Sequence, residues 1–158
     1  MAVNVSNDEL HRIVATCIVY RKYHHRLQYL IKRRAAEPPF SERWEAGAGG
    51  GATRKELDAF PGTADGQTDV AERLARLEVR QELGIAIGEL HYLGTFRFIR
   101  HDKVPVFGVR FAAEAGRGEI VLEKGVLEYR WAPASGIEMY HLVGEARNDI
   151  HKIENRFG

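Results

Sequence analysis

The stretch 76-RLEVRQELGI-85 carries the pattern on which the fold prediction depends. It places two glutamates, Glu78 and Glu82, four residues apart. Side chains at this spacing lie on the same face of an α-helix, where two like charges mildly destabilise an isolated helix. A helix that keeps such a pair has to offset the repulsion, so the environment of the two carboxylates is the first question.

The surrounding residues predict an amphipathic helix over about residues 69–83, with Gly84 placed to end it. With residues at about 100° intervals around the axis, the apolar side chains form one broad arc. The members of this arc are Val70, Leu74, Leu77, Val79 and Leu83, with Ala71 and Ala75 in its middle. Glu78 and Glu82 also lie in the middle of the arc. We therefore expect both carboxylates to point inward.

Two carboxylates on an inward face cannot both stay ionised without compensation, so cations neutralise them or one takes up a proton. Hard divalent cations such as Mg²⁺ prefer oxygen ligands and usually keep waters that a phosphate substrate can replace. Ala71 and Ala75 leave room for such an ion one turn away. A buried ion pair with an arginine from another element would explain the pattern equally well. The residues alone leave both alternatives open.

The composition is that of an ordinary globular chain, and 158 residues suffice for one domain over residues 1–158. The net charge of +1 argues against a nucleic-acid-binding protein, which usually has a clear basic excess. The single cysteine, Cys17, excludes a disulfide framework and a cysteine-rich zinc site. No apolar run approaches the ~20 residues that span a bilayer, and the N-terminus lacks the pattern of a secretion signal. A cytoplasmic protein is therefore expected.

The predicted order of elements is β-β-loop-α-β-β-β-α, which is typical of a mixed α/β domain. A hairpin is predicted from residues 12–20 and 26–34. Residues 37–51, EPPFSERWEAGAGGG, are interpreted as a loop whose glycines let the backbone pass close to a neighbour. Residues 52–68 form a polar, turn-rich excursion with one short helical turn over residues 54–59. A helix is expected in the tail.

Residues 77–85, LEVRQELGI, resemble the second half of the Nudix box, G-x5-E-x7-R-E-U-x-E-E-x-G-U, in which U is aliphatic. Three further features occur in the expected order: IKRR at 31–34, a Trp44-containing stretch that leads to GAGGG at 47–51, and EYRW at 128–131. The resemblance spans roughly residues 12–131. It implies an α/β (α+β) fold, namely a Nudix-like α/β/α sandwich with a mixed sheet and a loop-helix-loop box.

The resemblance also implies a reaction. Enzymes of this family use Mg²⁺ or Mn²⁺ to hydrolyse a nucleoside diphosphate linked to another group, and water attacks a phosphorus of the diphosphate. The metal-binding positions of the box fall on Glu78, Gln81 and Glu82. Glu123, in the loop before the last strand, lies where the family often has a further carboxylate that serves as base or ligand.

The box is altered on the helix and in its first half. Gln81 replaces a glutamate, and Leu77 replaces the arginine that orients the glutamates in the family. Glycines 49–51 can supply the opening glycine, but the stretch that follows is far longer than five residues, so residues 52–68 look like an insertion in the box loop. The acid at the expected distance before Leu77 is Asp69, which is better explained as a helix N-cap. The acids that the insertion could return to the site are Glu56, Asp58 and Asp65.

Candidate substrate-binding residues flank the box. Arg33 and Arg34 end a predicted strand, and guanidinium forks suit diphosphate oxygens, although a solvated strand end explains them equally well. Trp44 could stack on a base, or pack in the core as tryptophan more commonly does. Gly49 and Gly50 would let the backbone approach a substrate.

Two functional hypotheses follow. The first is a divergent Nudix hydrolase that uses Glu78, Glu82 and Glu123 on a small nucleotide-type substrate. The second is a catalytically inactive Nudix-fold module that binds a nucleotide or regulates another protein. Neither involves a nucleic acid or a membrane. The tail aromatics Tyr140 and Phe157 would suit a homodimer, or equally a packed C-terminus.

Overall fold

A computed structural model describes residues 10–36 and 43–158 of the chain. The strands are β1 (Arg12–Tyr23), β2 (Arg26–Arg34), β3 (Arg43–Ala46), β4 (Ala48–Gly51), β5 (His91–Ile99), β6 (Pro105–Glu114), β7 (Val126–Pro133) and β8 (His141–Leu142). The helices are α1 (Arg54–Asp58), α2 (Val70–Leu83), α3 (Ala146–Phe157) and a 3-10 helix (Ala134–Met139). None of these helices is long and apolar enough to cross a membrane.

The strands of the described residues form one mixed sheet in the order β5-β6-β1-β2-β3-β8, with β4 paired to β1 and β7 paired to β2. β1 runs parallel to β6 and β3 runs parallel to β8, whereas the other pairs are antiparallel. α2 packs against β1 and β4 on one face, and α3 lies on the other face. This arrangement confirms the predicted α/β/α sandwich with a mixed sheet.

β1 and β2 form the predicted hairpin, and β1 extends to Tyr23, beyond its predicted end at residue 20. His24 and His25 make the turn, with φ values of 44° and 63°. Positive φ at both central residues is the signature of a type I′ turn, whose twist matches that of the paired strands. The long hairpin therefore needs no glycine at its turn.

Alternation along β1 and β2 divides the buried side chains between two clusters. On the α2 face, Cys17, Val19 and Leu30 pack with the helix residues Leu74 and Val79. The cluster on the α3 face contains Ile18, Tyr20, Tyr29, Ile31, Trp44, Ile150 and Ile153. Cys17 is thus a small core residue.

The aromatic residues of the tail pack within the chain. The ring of Tyr140 meets that of Trp44 edge-on, with 5.0 Å between centroids. The ring of Phe157, on the predicted tail helix, stacks on Tyr20 at 5.8 Å. These contacts match the packed C-terminus, which was one of the two alternatives for Tyr140 and Phe157.

The prediction of a loop over residues 37–51 is wrong for the described residues except Gly47, which lies in a bend between two strands. Arg43–Ala46 form β3 and Ala48–Gly51 form β4, and β4 pairs antiparallel with β1. Pairing with β1 satisfies the backbone hydrogen-bonding groups of a segment that has almost no side chains to bury. Residues 37–42, also predicted as loop, lie outside the described part of the chain.

The two helices predicted around the box are present. α1 confirms the helical turn after residue 52 and begins with a capping box, in which Thr53 and Glu56 hydrogen-bond reciprocally. α2 starts after Asp69, which has the N-cap position but makes no side-chain capping bond. It ends at Gly84, whose φ of 71° is the left-handed conformation that glycine adopts cheaply.

Candidate functional site

Glu78 and Glu82 lie on the inward face of α2, as the helical pattern predicted. Glu78 is 8% exposed and Glu82 is 5% exposed. Burial raises the pKa of Glu78 to about 7, and the negative charge of Glu82 adds to this rise. Burial also raises the pKa of Glu82, although the charge of Lys32 opposes the rise.

Glu82 has a positive partner inside the protein. The Nζ atom of Lys32, on β2, donates a hydrogen bond to Oε2 of Glu82, and the lysine is fully buried. Nη2 of Arg34 lies 3.5 Å from the same oxygen. The buried ion pair that the sequence left open therefore exists at Glu82, with a lysine as the nearer partner and an arginine as the second.

Glu78 has no such partner. No described residue donates a hydrogen bond to its carboxylate or forms an ion pair with it. Gly50, on β4, faces this carboxylate so closely that a Cβ atom at position 50 would lie 2.6 Å from Oε2 of Glu78. The glycine therefore lets a buried acid lie directly against the backbone of β4, and oxygen donors of this kind suit a hard divalent cation.

The acids do not form a closed metal centre on their own. Within residues 10–36 and 43–158, no three His, Cys, Asp or Glu side chains converge closely enough to hold a metal ion. Mg²⁺ usually binds through one or two carboxylates and completes its shell with waters and substrate phosphates. The donor set therefore fits an ion shared between protein and substrate, and it does not fit a structural metal site.

Glu56 brings a third carboxylate to the exposed side of α2. Nε2 of Gln81 donates to Oε1 of Glu56 across 3.3 Å, and the backbone N–H of Thr53 donates to Oε2 across 2.8 Å. The negative charge of Glu56 also contributes to the raised pKa of Glu78. Gln81, predicted as a ligand, is exposed and positions Glu56 instead of pointing at the buried pair.

The position of Glu56 bears on where the insertion begins. Gly50 and Glu56 have the G-x5-E spacing of the first half of the box, and with this alignment the additional residues fall between Glu56 and α2. The spacing of Gly50 and Glu56 can be read from the sequence. It was overlooked because the acid was placed by its distance before Leu77, which selects Asp69. Asp58 pairs with exposed Arg54 at 3.6 Å and Asp65 lies in an exposed turn, so neither approaches the site.

Arg33 and Arg34, predicted together as substrate-binding residues, lie on opposite faces of the sheet. Arg33 forms an ion pair with Glu128 at 2.9 Å on the α3 face. Arg34 contacts Glu123 at 2.5 Å, in addition to Glu82. The β2–β7 register shifts between the two arginines, which helps to aim Arg34 at the acids. Arg34 and Glu123 therefore lie beside Glu82, whereas Arg33 lies on the other face of the sheet.

Trp44 is 7% exposed and belongs to the core on the α3 face. The guanidinium groups of Arg33 and Arg130 lie 5.9 Å and 5.3 Å from its ring centroid, and Tyr140 contacts its edge. No open ring face is left on which a base could stack. The structure thus favours the packing alternative for Trp44.

A cavity of about 370 Å³ opens on the α3 face of the sheet. Its lining includes Gly49, Phe96, Arg110 and Asp149, and Arg34 lines it as well. Arg34 therefore belongs both to this cavity and to the charged group around Glu82. Ligand pockets commonly occupy ~300–1,000 Å³, so a small organic ligand would fit here. Sequence reasoning missed Phe96, Arg110 and Asp149, because no motif marks them.

No family model and no curated protein sequence matches the chain. Solved structures do match its fold. The NUDIX domain of Shewanella oneidensis NrtR, complexed with ADP ribose, superposes with a TM-score of 0.69 at 12% identity over 94% of this chain and 90% of that one. A MutT NUDIX hydrolase from Burkholderia pseudomallei gives 0.65 at 19% identity, over 92% and 99%. A C. elegans Ap4A hydrolase in a binary complex gives 0.64 at 16% identity, over 92% and 96%. The chain therefore has the Nudix fold.

Proposed function

We propose that the protein hydrolyses a nucleoside diphosphate linked to another group, with the help of a divalent cation bound beside Glu78. The observation that carries this proposal is the environment of Glu78. Its carboxylate is buried, no described residue forms an ion pair with it, and Gly50 lets it lie against the backbone of β4. A buried acid without a partner is unfavourable, so its retention is explained by a cation that binds there.

Mg²⁺ or Mn²⁺ would be held by Glu78 with Glu82, and waters and substrate phosphates would complete its shell, while Glu56 would add negative charge from the exposed side of α2. A bound cation of this kind would neutralise negative charge on the diphosphate oxygens as the phosphorus is attacked. Gln81 takes part by orienting Glu56, since its own amide is turned towards that carboxylate.

The remaining residues position the substrate and move the proton. Arg34 offers a guanidinium fork that can bind diphosphate oxygens in two places at once. Glu123, paired with Arg34 in the free protein, becomes available as a proton acceptor when phosphate oxygens take over the arginine. Lys32 holds Glu82 in a fixed orientation, which is the role that the family gives to the arginine replaced here by Leu77.

The nucleoside would occupy the cavity on the α3 face, and its diphosphate would reach the acids at Arg34. Two of the similar structures are named for nucleotides, ADP ribose in one and Ap4A in the other. Gly49 lines this cavity, and Gly50, the next residue, faces Glu78. A ligand that passes the glycine strand would therefore contact both regions.

A second candidate is a nucleotide-binding module without catalysis. It is favoured by Glu82, whose charge is already neutralised by Lys32, and by Gln81, which cannot supply the charge of a glutamate. This alternative keeps the cavity and gives up the cation. It predicts binding of a nucleotide without turnover.

Thermal unfolding with and without millimolar Mn²⁺ separates the two candidates. A ligand that binds only the folded state raises the midpoint. We expect Mn²⁺ to raise the midpoint of the wild type but not that of Glu78→Gln, and we expect Glu119→Gln, an exposed glutamate, to respond like the wild type. Hydrolysis of ADP ribose, Ap4A and other diphosphate derivatives is then assayed on the same three proteins. No Mn²⁺ effect in the wild type would favour the binding module.

Glu56→Gln tests the third carboxylate. Glutamine also completes a capping box, so this change removes a charge while α1 keeps its cap. We expect a smaller Mn²⁺-induced rise with little change in the metal-free midpoint. Asp58→Asn, in the same helix, is the matched control and should change neither. A fall in the metal-free midpoint alone would mean that Glu56 only caps the helix.

A further inference from the structure

Arg110 and Asp149 form an incompletely bonded charged pair in the wall of the cavity. Their side chains are 14% and 4% exposed, and Nη1 of Arg110 lies 3.4 Å from Oδ1 of Asp149. Nε of Arg110 and Oδ1 of Asp149 are both buried, and neither has a hydrogen-bond partner among the described residues. Lys152 Nζ, at 3.9 Å from Oδ1, is too far for a hydrogen bond and donates to the backbone of Leu93 instead.

Buried polar groups are nearly always hydrogen-bonded, and each one left without a partner is costly. Here a donor of Arg110 and an acceptor of Asp149 are both unsatisfied, the two residues form an ion pair, and both line a cavity large enough for a ligand. Such an arrangement suits a ligand that presents an acceptor next to donors. In the proposed function the acids would lie near the diphosphate, so selection of the base would have to come from the cavity.

Phe96 and Phe98 add a flat apolar surface to the same cavity. Their rings are nearly parallel, with an interplanar angle of 16° and 6.1 Å between centroids. Phe96 lies directly over Gly108, where a Cβ atom would come within 2.2 Å of the ring. The glycine thus lets the ring lie close to the sheet. An aromatic ring on one wall and a polar pair on another suit a planar heterocycle that stacks and is bonded along one edge.

We infer that Arg110 and Asp149 select a guanine base in this cavity, an inference that rests on the proposed nucleotide substrate. Guanine presents two adjacent N–H donors, at N1 and N2, beside the O6 acceptor. A carboxylate can accept from both donors while the arginine donates to O6. Adenine presents one amino group beside an unprotonated ring nitrogen and would satisfy fewer of these groups.

Binding of GDP, IDP, ADP and XDP, measured by calorimetry in EDTA, tests the inference. GDP should bind about tenfold or more tightly than ADP, since hydrogen bonds to charged groups contribute ~1.5–3 kcal/mol each. IDP, which lacks the N2 amino group, should fall between them. Equal affinities for GDP and ADP, or tighter binding of ADP, would overturn the inference.

Asp149→Asn gives a result that misfolding cannot imitate. Xanthine has a carbonyl where guanine has the N2 amino group, and an amide can donate to it while a carboxylate repels it. The variant should therefore bind GDP about tenfold more weakly and XDP more tightly than the wild type. Asp65→Asn, an exposed aspartate, should bind every nucleotide like the wild type. An equal loss of affinity for all four nucleotides in Asp149→Asn would contradict the selection of the base by Asp149.

The outcome is independent of the cation site. Glu78→Gln should keep the preference for GDP, because the base lies away from the acids. A Mn²⁺ effect without nucleotide preference would refute the guanine assignment alone. A preference for GDP without a Mn²⁺ effect would refute the hydrolase proposal and leave the assignment standing.

Discussion

Glu78 and Glu82 occupy successive turns of α2, but their surroundings differ. Lys32 reaches Glu82 from β2 and neutralises it, whereas Glu78 faces the backbone of Gly50. The helical pattern predicted the burial of both acids from the sequence. It could not predict the difference between them, because Lys32 is fifty residues from Glu82 in the sequence and only the tertiary structure brings the two side chains together.

The raised pKa of Glu78 makes a prediction about stability. Its value rises from 4.5 to about 7 on folding, mainly through burial, so the protonated form suits the fold. The associated stability is present below about pH 4.5 and is lost as the pH rises through 7. Glutamine imitates the protonated acid at every pH. In EDTA, Glu78→Gln should unfold a few degrees above the wild type at pH 8 and close to it at pH 5.

Thermal scans at both pH values check this, with Glu119→Gln as the exposed control that should show no such pH dependence. A difference between Glu78→Gln and the wild type that stays constant from pH 5 to pH 8 would mean that Glu78 is ionised at little cost. The carboxylate would then have access to water, and its burial would no longer argue for a cation.

The ion pair at Glu82 predicts a large non-additive effect. Lys32→Met keeps the shape of the stem but leaves the buried carboxylate with only the more distant Arg34 as a partner, which should destabilise the fold by up to about 3–5 kcal/mol. Adding Glu82→Gln removes the buried charge that Lys32 neutralises, and it should restore much of the stability that Lys32→Met loses. Urea unfolding of the wild type, both single variants and the double variant gives the coupling energy. Simple additivity of the two changes would show that Lys32 and Glu82 are not coupled in solution.

At the scale of elements, side-chain pattern decided what could be predicted. β1, β2 and α2 have clear periodicities, and all three are present. β4 was not predicted because its glycines give no alternating pattern of apolar and polar side chains and have low strand propensity. Its pairing with β1 is set by the tertiary structure. The G-x5-E spacing of Glu56 from Gly50 was missed because the residues between α1 and α2 lengthen the stretch that follows it.

Gly50→Ala tests how β4 serves the site. The added Cβ would meet the Glu78 carboxylate, which is the far end of a flexible side chain and can move aside. We expect the variant to fold with a metal-free midpoint close to that of the wild type, but to lose most of the Mn²⁺-induced rise. Gly88→Ala, where the nearest atom lies 3.7 Å away, is the matched control and should keep the full rise. An unchanged Mn²⁺ response in Gly50→Ala would show that the cation does not bind beside this glycine.

At the scale of the whole molecule, the sheet separates two half-sites. The acids lie on the α2 face, the cavity with Arg110 and Asp149 lies on the α3 face, and Arg34 takes part in both. The fold class followed from the order of elements in the sequence. The cavity could not be predicted from the sequence, because its residues Phe96, Arg110 and Asp149 come from two strands and a helix that only the tertiary structure brings together.

This arrangement predicts that cation and nucleotide bind cooperatively. A diphosphate that reaches past Arg34 would meet the cation, so Mn²⁺ should raise the affinity for GDP, and GDP should raise the affinity for Mn²⁺ by the same factor. Arg34→Lys keeps the charge but loses the two-pronged contact, and it should reduce that factor while each ligand alone still binds. Calorimetric titrations of each ligand in the presence and absence of the other measure the coupling in both proteins.

The contradicting outcome is that GDP binds the wild type with the same affinity with and without Mn²⁺. The two faces would then serve separate functions, because a substrate that spans both faces would couple the binding of the two ligands.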